Sequence, residues 1–370
     1  MGSFGRQQPG FRVHAARASQ QSATILTTLG MFFFCMTSSI EAETYTIKDL
    51  GLIGPGVSVE GVNNRGEVVG AVPASSGASR FRAWWYKDGK VIDLNTCGGI
   101  GCRAMDINAT SQIVGNIGRD AYIYSHGKFI DIAAFARPPG IALALNDLAE
   151  VVGWYTLIPV RGENYPSERH AFLYRGRRFT DLGTLGGTES VATDINNNGQ
   201  IIGYASTYGG ETHAFFYENG KMIDLGTLGG TESRANSINE RGQIVGSADI
   251  AGSNKPHAFL YIDGNMRDLG TLNGEASVAS CINKAGHIVG SSGGRGFLYT
   301  GGRLTDLLTF VPSASGWKSL VPRCVNDHGQ IAGVGTLSDG KQHVFLMSPV
   351  QDRADTSTVP SGGLALTGTR

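Results

Sequence analysis

The sequence has no excess of charge of either sign. Its 370 residues include 31 Lys and Arg against 31 Asp and Glu, and only 17% of them are charged. Proteins that bind nucleic acid use a basic stripe to meet the phosphates, so we expect no nucleic acid partner. The 41% hydrophobic content is enough for a sizeable core and excludes wholesale disorder. Nothing in the composition predicts an oligomer, and we expect a monomer.

Long hydrophobic runs are also missing. The longest, Ala23–Met36, has 14 residues, fewer than the roughly 20 that a membrane-spanning helix needs. A basic segment with Arg6, Arg12 and Arg17 precedes it, and a small-residue cleavage site at Ile40–Ala42 follows it. This order is typical of a secretory signal peptide, which we predict over residues 1–42. We therefore expect a secreted or periplasmic protein without a membrane span.

Cysteine is scarce. Four of the five cysteines, namely Cys97, Cys102, Cys281 and Cys324, follow the predicted signal peptide. An even number in an exported chain permits disulfides, with three possible pairings. Cys97 and Cys102 enclose a short flexible Gly-Gly-Ile-Gly loop, so we predict a disulfide between them, with two free thiols as the alternative.

Glycine, in contrast, is abundant, and one pattern repeats. The 54 glycines are roughly twice the usual share of about 7% and predict many turns. The pattern apolar-Asn-x-x-Gly-Gln-Ile-Val-Gly, or a close variant, occurs seven times, and its asparagines are Asn63, Asn108, Asn146, Asn196, Asn239, Asn283 and Asn326. We number units one to seven after them. A period near forty residues made of strand-length apolar runs is typical of propeller blades.

Each unit is predicted to contain four strands. In unit four these are Ser190–Asn196, Gln200–Ser206, His213–Tyr217 and Lys221–Leu225. Short turns join the first strand to the second and the third to the fourth, because Asn and Gly tolerate the positive φ of tight hairpins. We therefore expect positive φ at the turn glycines Gly199, Gly242 and Gly329. The fold class that follows is all-β, a seven-bladed β-propeller of four-stranded antiparallel blades over residues 43–350.

The two ends of the repeat region complement each other. The chain after the signal peptide begins with an isolated fourth strand, Tyr45–Leu50, and unit seven stops after its third strand, His343–Met347. Pairing the two would close the propeller with the N-terminal strand and leave no open sheet edge. Residues 351–370 are rich in small and polar residues and are predicted to be a loose C-terminal tail.

The motifs resemble those of a known family. His170-Ala171-Phe172, the runs DLGTLGGTES and the hairpins of the INxxGQIVG type occur in a fixed order and are clearest in units four to six. In this respect the chain, from residue 45 to about 350, is similar to the HAF-repeat family of exported bacterial proteins. Unit two departs most, with Asp120 in place of His and Ser111 in place of Gly. The resemblance implies an extracellular repeat protein and brings no established reaction.

The repeated polar residues are predicted to build the scaffold. His170, His213, His257 and His343 share one position, with Arg82, Asp120 and Arg295 in its place elsewhere. One residue per blade is spread too widely to share a metal ion, so we expect each His to hydrogen-bond within its own blade. The repeated Asn should accept backbone N–H bonds in its turn, and the GTLGG runs should be loops between blades. We expect no metal and no cofactor.

Function is therefore sought where the repeat is broken. Because strands alternate in direction, the variable connections between second and third strands, and between fourth and first strands, emerge on one face, which we call the variable face. Three departures fall there: the insertion Trp154–Arg169, the loop Cys97–Cys102 and the loop Leu308–Pro322. The candidate ligand-binding residues are Trp154, Tyr155, Arg161, Glu163, Tyr165, Arg169 and Trp317, since recognition surfaces favour aromatic and Arg side chains.

Two functions remain open at this point. The first is an exported, non-catalytic binding or scaffold protein that recognises a glycan or protein through the variable face. The alternative is an extracellular glycoside hydrolase or lyase acting at the propeller mouth, which would need two carboxylates about 5–9.5 Å apart. No zinc-protease motif or phosphate loop occurs in the sequence, so no catalytic residue is assigned and an enzyme is the weaker interpretation.

Overall fold

The computed structural model describes residues 44–51, 56–74, 80–94, 101–132, 140–157, 168–253 and 255–350. The predicted signal peptide, the predicted C-terminal tail, Cys97, Arg161, Glu163 and Tyr165 lie outside these residues. Among the residues described, no helix is long and apolar enough to cross a membrane.

Nearly all regular structure in the described residues is β-strand. The N-terminal strand β1 spans Tyr45–Asp49, and units one to three contain β2 Ser58–Val62, β3 Val68–Pro73, β4 Phe81–Lys87, β5 Lys90–Asp93, β6 Cys102–Ile107, β7 Ile113–Ile117, β8 Asp120–Ser125, β9 Lys128–Asp131, β10 Gly140–Leu145, β11 Val151–Thr156, β12 Arg169–Arg175 and β13 Arg178–Gly183. Units four and five contain β14 Gly186–Ile195, β15 Ile201–Thr207, β16 Thr212–Glu218, β17 Lys221–Asp224, β18 Gly229–Ile238, β19 Ile244–Ile250, β20 Pro256–Ile262 and β21 Asn265–Gly270. Units six and seven contain β22 Ser277–Ile282, β23 Ile288–Ser292, β24 Arg295–Thr300, β25 Arg303–Asp306, β26 Trp317–Val325, β27 Ile331–Leu337 and β28 Gln342–Pro349, with short 3-10 turns at Leu307–Phe310 and Ser313–Ser315.

These strands form six sheets, five of four strands and one of eight. The eight-stranded sheet contains units three and four, which are joined only by one parallel residue pair, Arg169 with Glu189. Within each unit the neighbouring strands are antiparallel and follow chain order, as predicted for unit four. The fourth strand in the sheet of unit seven is β1, whose Tyr45 lies opposite Pro349 and whose Asp49 lies opposite Phe345. The predicted pairing of the N-terminal strand with the last strand of the repeat is therefore present.

The core lies between neighbouring sheets and consists of the repeated apolar residues. The aromatic residue at the centre of each third strand is buried, namely Trp84, Tyr122, Phe172, Phe215, Phe259, Phe297 and Phe345. Space for this ring comes from the glycine in the second strand. A Cβ on Gly246 would lie 2.0 Å from the carbonyl oxygen of Arg234 and 2.9 Å from the Phe259 ring. The glycine that ends each GQIVG run is thus required by close packing rather than by a turn.

The tight turns between first and second strands have the predicted conformation. Gly199, Gly242 and Gly329 have φ of 76°, 74° and 73°, which confirms the prediction. Units two and three have other residues at this place, and Ser111 and Ala149 still adopt φ of 63° and 57°. The turn geometry is therefore kept even where the side chain disfavours it.

The GTLGG runs differ from the prediction that they are simple loops. Gly186 and Gly229 begin β14 and β18, and each pairs with the end of the second strand of its unit. The Thr184 hydroxyl accepts a bond from the Gly186 N–H at 3.2 Å and donates one to the Gly187 carbonyl at 2.8 Å. These bonds hold the run in an extended form, so it lengthens the first strand instead of looping freely.

Candidate functional site

The seven repeated asparagines are joined in a continuous cycle of hydrogen bonds. Each side-chain amide donates to the backbone carbonyl of the asparagine in the next unit, at 2.8–3.2 Å, in the order Asn63, Asn108, Asn146, Asn196, Asn239, Asn283, Asn326 and back to Asn63. We call this set the asparagine cycle. A central cavity of about 200 Å³ is lined by the ends of the first strands of all seven units.

Each asparagine also holds its own turn. The Oδ1 atom of Asn196 accepts from the backbone N–H groups of Asn198 and Gln200, both at 3.1 Å. This confirms that the repeated Asn accepts backbone N–H bonds. The bond from one unit to the next was missed, because a sequence shows the position of the Asn in its own hairpin but not the carbonyl that its amide reaches.

The repeated histidines are bonded inside their own sheets. The shortest contacts between Nδ1 and a carboxylate oxygen are 3.0 Å for His170 with Asp181, 2.8 Å for His213 with Asp224, 2.9 Å for His257 with Asp268 and 2.9 Å for His343 with Asp49. Arg82 and Arg295 pair in the same way with Asp93 and Asp306. The prediction that each His forms its hydrogen bond within its own sheet is confirmed. In the described part of the chain, no three His, Cys, Asp or Glu residues are grouped so that they could hold a metal ion.

The rest of the HAF and DLG motif is also structural. In unit three the Asp181 carboxylate accepts the Gly183 N–H at 2.8 Å, and the Ser190 hydroxyl bridges the Ala171 N–H and the Gly183 carbonyl. Burial raises the pKa of Asp181, but the bonds from Gly183 and His170 outweigh it, so the net pKa is lowered. The Asp181 carboxylate and the Ser190 hydroxyl thus both have scaffold partners.

A second set of polar residues lies on the first strands, two residues before each asparagine. From unit one to unit seven this position holds Gly61, Asp106, Ala144, Asp194, Ser237, Cys281 and Cys324. It follows a bulge in every first strand, where the register shifts by one residue. The position varies from unit to unit although its surroundings repeat, and the sequence reasoning did not single it out.

The two carboxylates of this set have raised pKa values. Burial raises the pKa of Asp106 to about 6, against hydrogen bonds from the N–H groups of Leu145 and Ile107. Burial, together with the charge of Asp106, raises the pKa of Asp194 to about 7. Both side chains reach the next unit, since Asp106 accepts from Leu145 N–H at 3.1 Å and Asp194 from Ile238 N–H at 2.9 Å. These carboxylates bridge units and are not aimed at a ligand.

Two predicted ligand-binding residues are core residues instead. Tyr155 is 6% exposed on β11, and its ring packs on Phe179 with centroids 4.9 Å apart. Burial and a hydrogen bond to Asp181 raise the pKa of its hydroxyl. Trp317 is 8% exposed and packs edge-on against Phe345. The expectation that Tyr155 and Trp317 face a ligand is wrong, because both belong to strands whose side chains fill the space between sheets.

The other described candidates contact each other at the start of the insertion. Trp154 is half-buried on β11, and the Arg169 guanidinium lies over its ring, 5.3 Å from the centroid. Arg169 also forms a two-bond ion pair with Glu189, with a shortest distance of 2.8 Å. Arg161, Glu163 and Tyr165 lie outside the described residues, so their role remains a prediction. Trp154 and Arg169 remain candidates for a ligand-facing edge.

The variable face contains a cavity that the sequence reasoning located only in part. Its volume is about 320 Å³, and its lining is Arg80, Phe81, Gly101, Cys102, Arg103, Met105, Asn116, Gly118 and Ile141. Phe81 begins a third strand and Cys102 a first strand, so both lie where the variable connections enter the sheets. We call this site the arginine cavity. Cys102 is disulfide-bonded, and its predicted partner Cys97 lies outside the described residues.

The chemistry of the arginine cavity suits a negatively charged group. The Arg103 guanidinium stacks on the Phe81 ring, 3.4 Å from its centroid, which fixes the orientation of the charge. Arg80 also lines the cavity, and Met105 and Ile141 provide apolar walls. Within the described ranges no Asp or Glu lines this cavity and neither arginine forms an ion pair with a carboxylate. The Arg103 guanidinium is therefore available for an anion, beside a second lining arginine.

Comparisons with known proteins indicate the fold. A family model described as "Protein of unknown function (DUF3466)" matches residues 183–273, which is about a quarter of the chain. No curated protein matches. Among solved structures, the chain is similar to TolB from Acinetobacter baumannii, with 14% identity over 77% of this chain and 64% of that one, and a TM-score of 0.45.

Two further structures agree more closely in shape. A puromycin-hydrolyzing peptidase of Mycobacterium tuberculosis has 13% identity over 78% of this chain and 51% of that one, with a TM-score of 0.53. The β-propeller domain of the Trilobed protease from Pyrococcus furiosus has 8% identity over 81% of this chain and 99% of that domain, with a TM-score of 0.50. The chain thus spans less than two thirds of TolB and about half of the peptidase. At such identities the similarity concerns the fold alone, an all-β structure like that of β-propellers.

Proposed function

We propose that residues 43–350 form a closed seven-bladed β-propeller of the HAF-repeat type, exported from a bacterial cell. Support for seven blades comes from the seven four-strand groups, two of which share a sheet through a single residue pair. Support for closure comes from the pairing of β1 with β28 and from the asparagine cycle, which returns from unit seven to unit one. Support for export comes from the predicted signal peptide and from the disulfide at Cys102.

We further propose that the protein is a non-catalytic binding protein that holds an acidic glycan in the arginine cavity. The observation that carries this proposal is the Arg103 guanidinium stacked on Phe81 beside Arg80, in a cavity lined within the described ranges by no carboxylate. A guanidinium fork binds a carboxylate in two-bond geometry. The volume of about 320 Å³ lies at the lower end of small-ligand sites, which favours one or two sugar residues over a flat protein epitope.

The hydrolase alternative receives less support from this geometry. Cleavage of a glycosidic bond needs a general acid and a second carboxylate on either side of the bond. The arginine cavity offers two cations and Asn116 instead, and the Asn116 amide is already bonded to the Ala142 backbone. Binding is therefore the function that these side chains can perform without further groups.

The test is a glycan binding screen on residues 43–370. We expect binding to oligosaccharides that contain uronic acids and none to their neutral, carboxyl-reduced counterparts. Arg103→Ala and Arg80→Ala should each weaken binding at least tenfold. Arg303→Ala is the matched control, because Arg303 is exposed after a tight turn, at the opposite end of the strands, and should leave binding unchanged. Equal binding of acidic and neutral glycans, or full affinity in Arg103→Ala, would overturn the proposal.

A further inference from the structure

Two cysteines occupy equivalent places in adjacent units. Cys281 in unit six and Cys324 in unit seven both lie two residues before an asparagine of the asparagine cycle. Both are free thiols, and both are only partly buried. The residues after them, Ile282 and Val325, line the central cavity.

The Cys281 thiol contacts the residue that follows Cys324, and the Cys324 thiol contacts unit one. The Cys281 Sγ atom accepts a bond from the Val325 N–H at 3.3 Å and lies 3.6 Å from the Val325 carbonyl oxygen. The Cys324 thiol is within hydrogen-bonding reach of Cys281, and its Sγ also lies 3.4 Å from the Glu60 carbonyl oxygen. The pair therefore bridges the interface between units six and seven.

The backbones at this position approach closely enough for a covalent bond. The equivalent pair in units one and two shows the spacing, because a Cβ on Gly61 would lie 3.2 Å from the Asp106 Cα atom. The two Cα atoms of that pair are then nearer than the upper limit of about 7 Å for residues joined by a disulfide. The same bulge precedes Cys281 and Cys324, and the Cys281 Sγ atom lies 3.3 Å from the nitrogen of Val325, the residue that follows Cys324.

The surroundings distinguish the two thiols. The hydrogen bond from Cys324, assisted by the Val325 N–H, lowers the pKa of Cys281. The same bond and burial raise the pKa of Cys324 well above its usual value. The Arg323 guanidinium interacts favourably with either thiolate and pairs with Glu60 at 3.5 Å. Cys281 is thus the better nucleophile of the pair and Cys324 the better resolving thiol.

We propose that Cys281 and Cys324 are a redox-active pair that closes reversibly to a disulfide between units six and seven. The Cys281 thiolate attacks one sulfur of a small-molecule disulfide, forms a mixed disulfide and releases one thiolate. Cys324 then loses its proton to water and attacks the Cys281 sulfur, which releases the second thiol. Two protein thiols are oxidised, and the small-molecule disulfide is reduced to two thiols.

The disulfide would act next to the point where the first and last strands of the repeat region pair. Unit seven contains the first and the last strand of the repeat region, and its sheet is held to unit six by packing and by the bond from Asn283. A covalent link between their first strands prevents unit seven from separating from unit six. Oxidation should therefore raise the Tm by several degrees, and reduction should reverse the rise.

The test uses residues 43–370 with oxidised glutathione as the probe. Cys281 and Cys324 fall in separate tryptic peptides, 268–284 and 324–341. After oxidation, mass spectrometry should find these two peptides cross-linked, and both cysteines should lose reactivity toward an alkylating agent. Dithiothreitol should restore the separate peptides. A protein isolated with the cross-link already present supports the proposal in the same way once the reductant releases it.

Single variants separate this mechanism from accidental oxidation. Cys324→Ser should trap a glutathione adduct on Cys281, whereas Cys281→Ser should form at least tenfold less adduct on Cys324. Both variants should fold, because serine occupies this position in unit five as Ser237. The proposal fails if wild-type protein keeps two alkylatable thiols after oxidation, or if it retains glutathione without the cross-link. It also fails if both variants form the adduct equally.

Discussion

The side-chain amide of Asn326 donates a hydrogen bond of 2.8 Å to the backbone carbonyl of Asn63, which lies 263 positions earlier in the chain. The six other bonds of the asparagine cycle each join a unit to its successor, so this bond joins the last unit to the first. A second pair beside it supports the same contact. The Asn64 amide donates to Asp327 at 3.1 Å, and the Asp327 N–H donates to Asn64 at 2.9 Å. The ends of the repeat therefore meet at their inner strands as well as through β1.

If the asparagine cycle is closed, all its members should contribute about equally to the free energy of unfolding. Asn326→Ala and Asn239→Ala should each lower the free energy of unfolding by about 2–4 kcal/mol, because each change removes one bond between units and two that hold the turn. Urea unfolding of the two variants measures this. Arg241→Ala, a change at an exposed turn residue near Asn239, should cost less than about 0.5 kcal/mol. A much smaller loss for Asn326→Ala than for Asn239→Ala would contradict closure.

The N-terminal strand should stabilise the whole molecule. Tyr45 is buried and packs edge-on against Phe310, and the backbone of β1 bonds along β28. Removing residues 43–50 exposes that sheet edge and this part of the core, so we expect a lower Tm in a single cooperative transition. Calorimetry on residues 51–370 against residues 43–370 provides the comparison. An unchanged Tm would mean that β1 does not stabilise the rest of the molecule.

The turn residues with positive φ allow two opposite substitutions to be compared, Gly to Ala in one unit and Ala to Gly in another. Gly242→Ala should cost about 1 kcal/mol, because φ is 74° and a side chain is disfavoured there although no backbone atom blocks it. Ala149→Gly in unit three should give a gain of similar size, since Ala149 adopts φ of 57° in the equivalent turn. Urea unfolding checks both changes. Effects of the same sign in the two variants would show that the turns are not equivalent.

The raised pKa of Asp194 should appear in the pH dependence of stability. A carboxyl whose pKa is about 7 in the folded protein and near 4 when unfolded favours folding at low pH, and this stabilisation is lost as the pH rises from about 4 to 7. Asp194→Asn removes this titration, so its free energy of unfolding should improve relative to wild type between pH 5 and pH 8. The exposed Asp263→Asn serves as the control. A difference between Asp194→Asn and wild type that stays constant with pH would contradict the assignment.

The sequence was sufficient for the scaffold because the scaffold is local and periodic. The strands of unit four, the turn glycines and the bonding of His170, His213 and His257 within their own sheets follow from short-range patterns that recur along the chain. The arginine cavity was not predictable in the same way. Arg80, Arg103 and Ile141 come from three units, and only the packing of those units brings them together. Cys281 and Cys324 were counted among the cysteines, but their equivalent places in adjacent units were not recognised, because they occupy a position that varies inside a repeated motif.

The last prediction concerns the insertion in unit three, where sequence and structure disagree. Tyr155 is a core residue packed on Phe179, so Tyr155→Ala should lower the free energy of unfolding by about 3–5 kcal/mol. Its neighbour Trp154 is half-buried under Arg169 on the opposite side of the strand, and Trp154→Ala should cost only about 1 kcal/mol. Urea unfolding checks both.

Tyr208→Ala is the control for loss of an aromatic ring, since Tyr208 is 93% exposed and should contribute almost nothing to stability. If Trp154 forms the outer edge of the binding face, Trp154→Ala should also weaken glycan binding while the protein stays folded. Tyr155→Ala within about 1 kcal/mol of wild type would instead mean that β11 ends before Tyr155 in solution and that the insertion begins where the sequence pattern placed it.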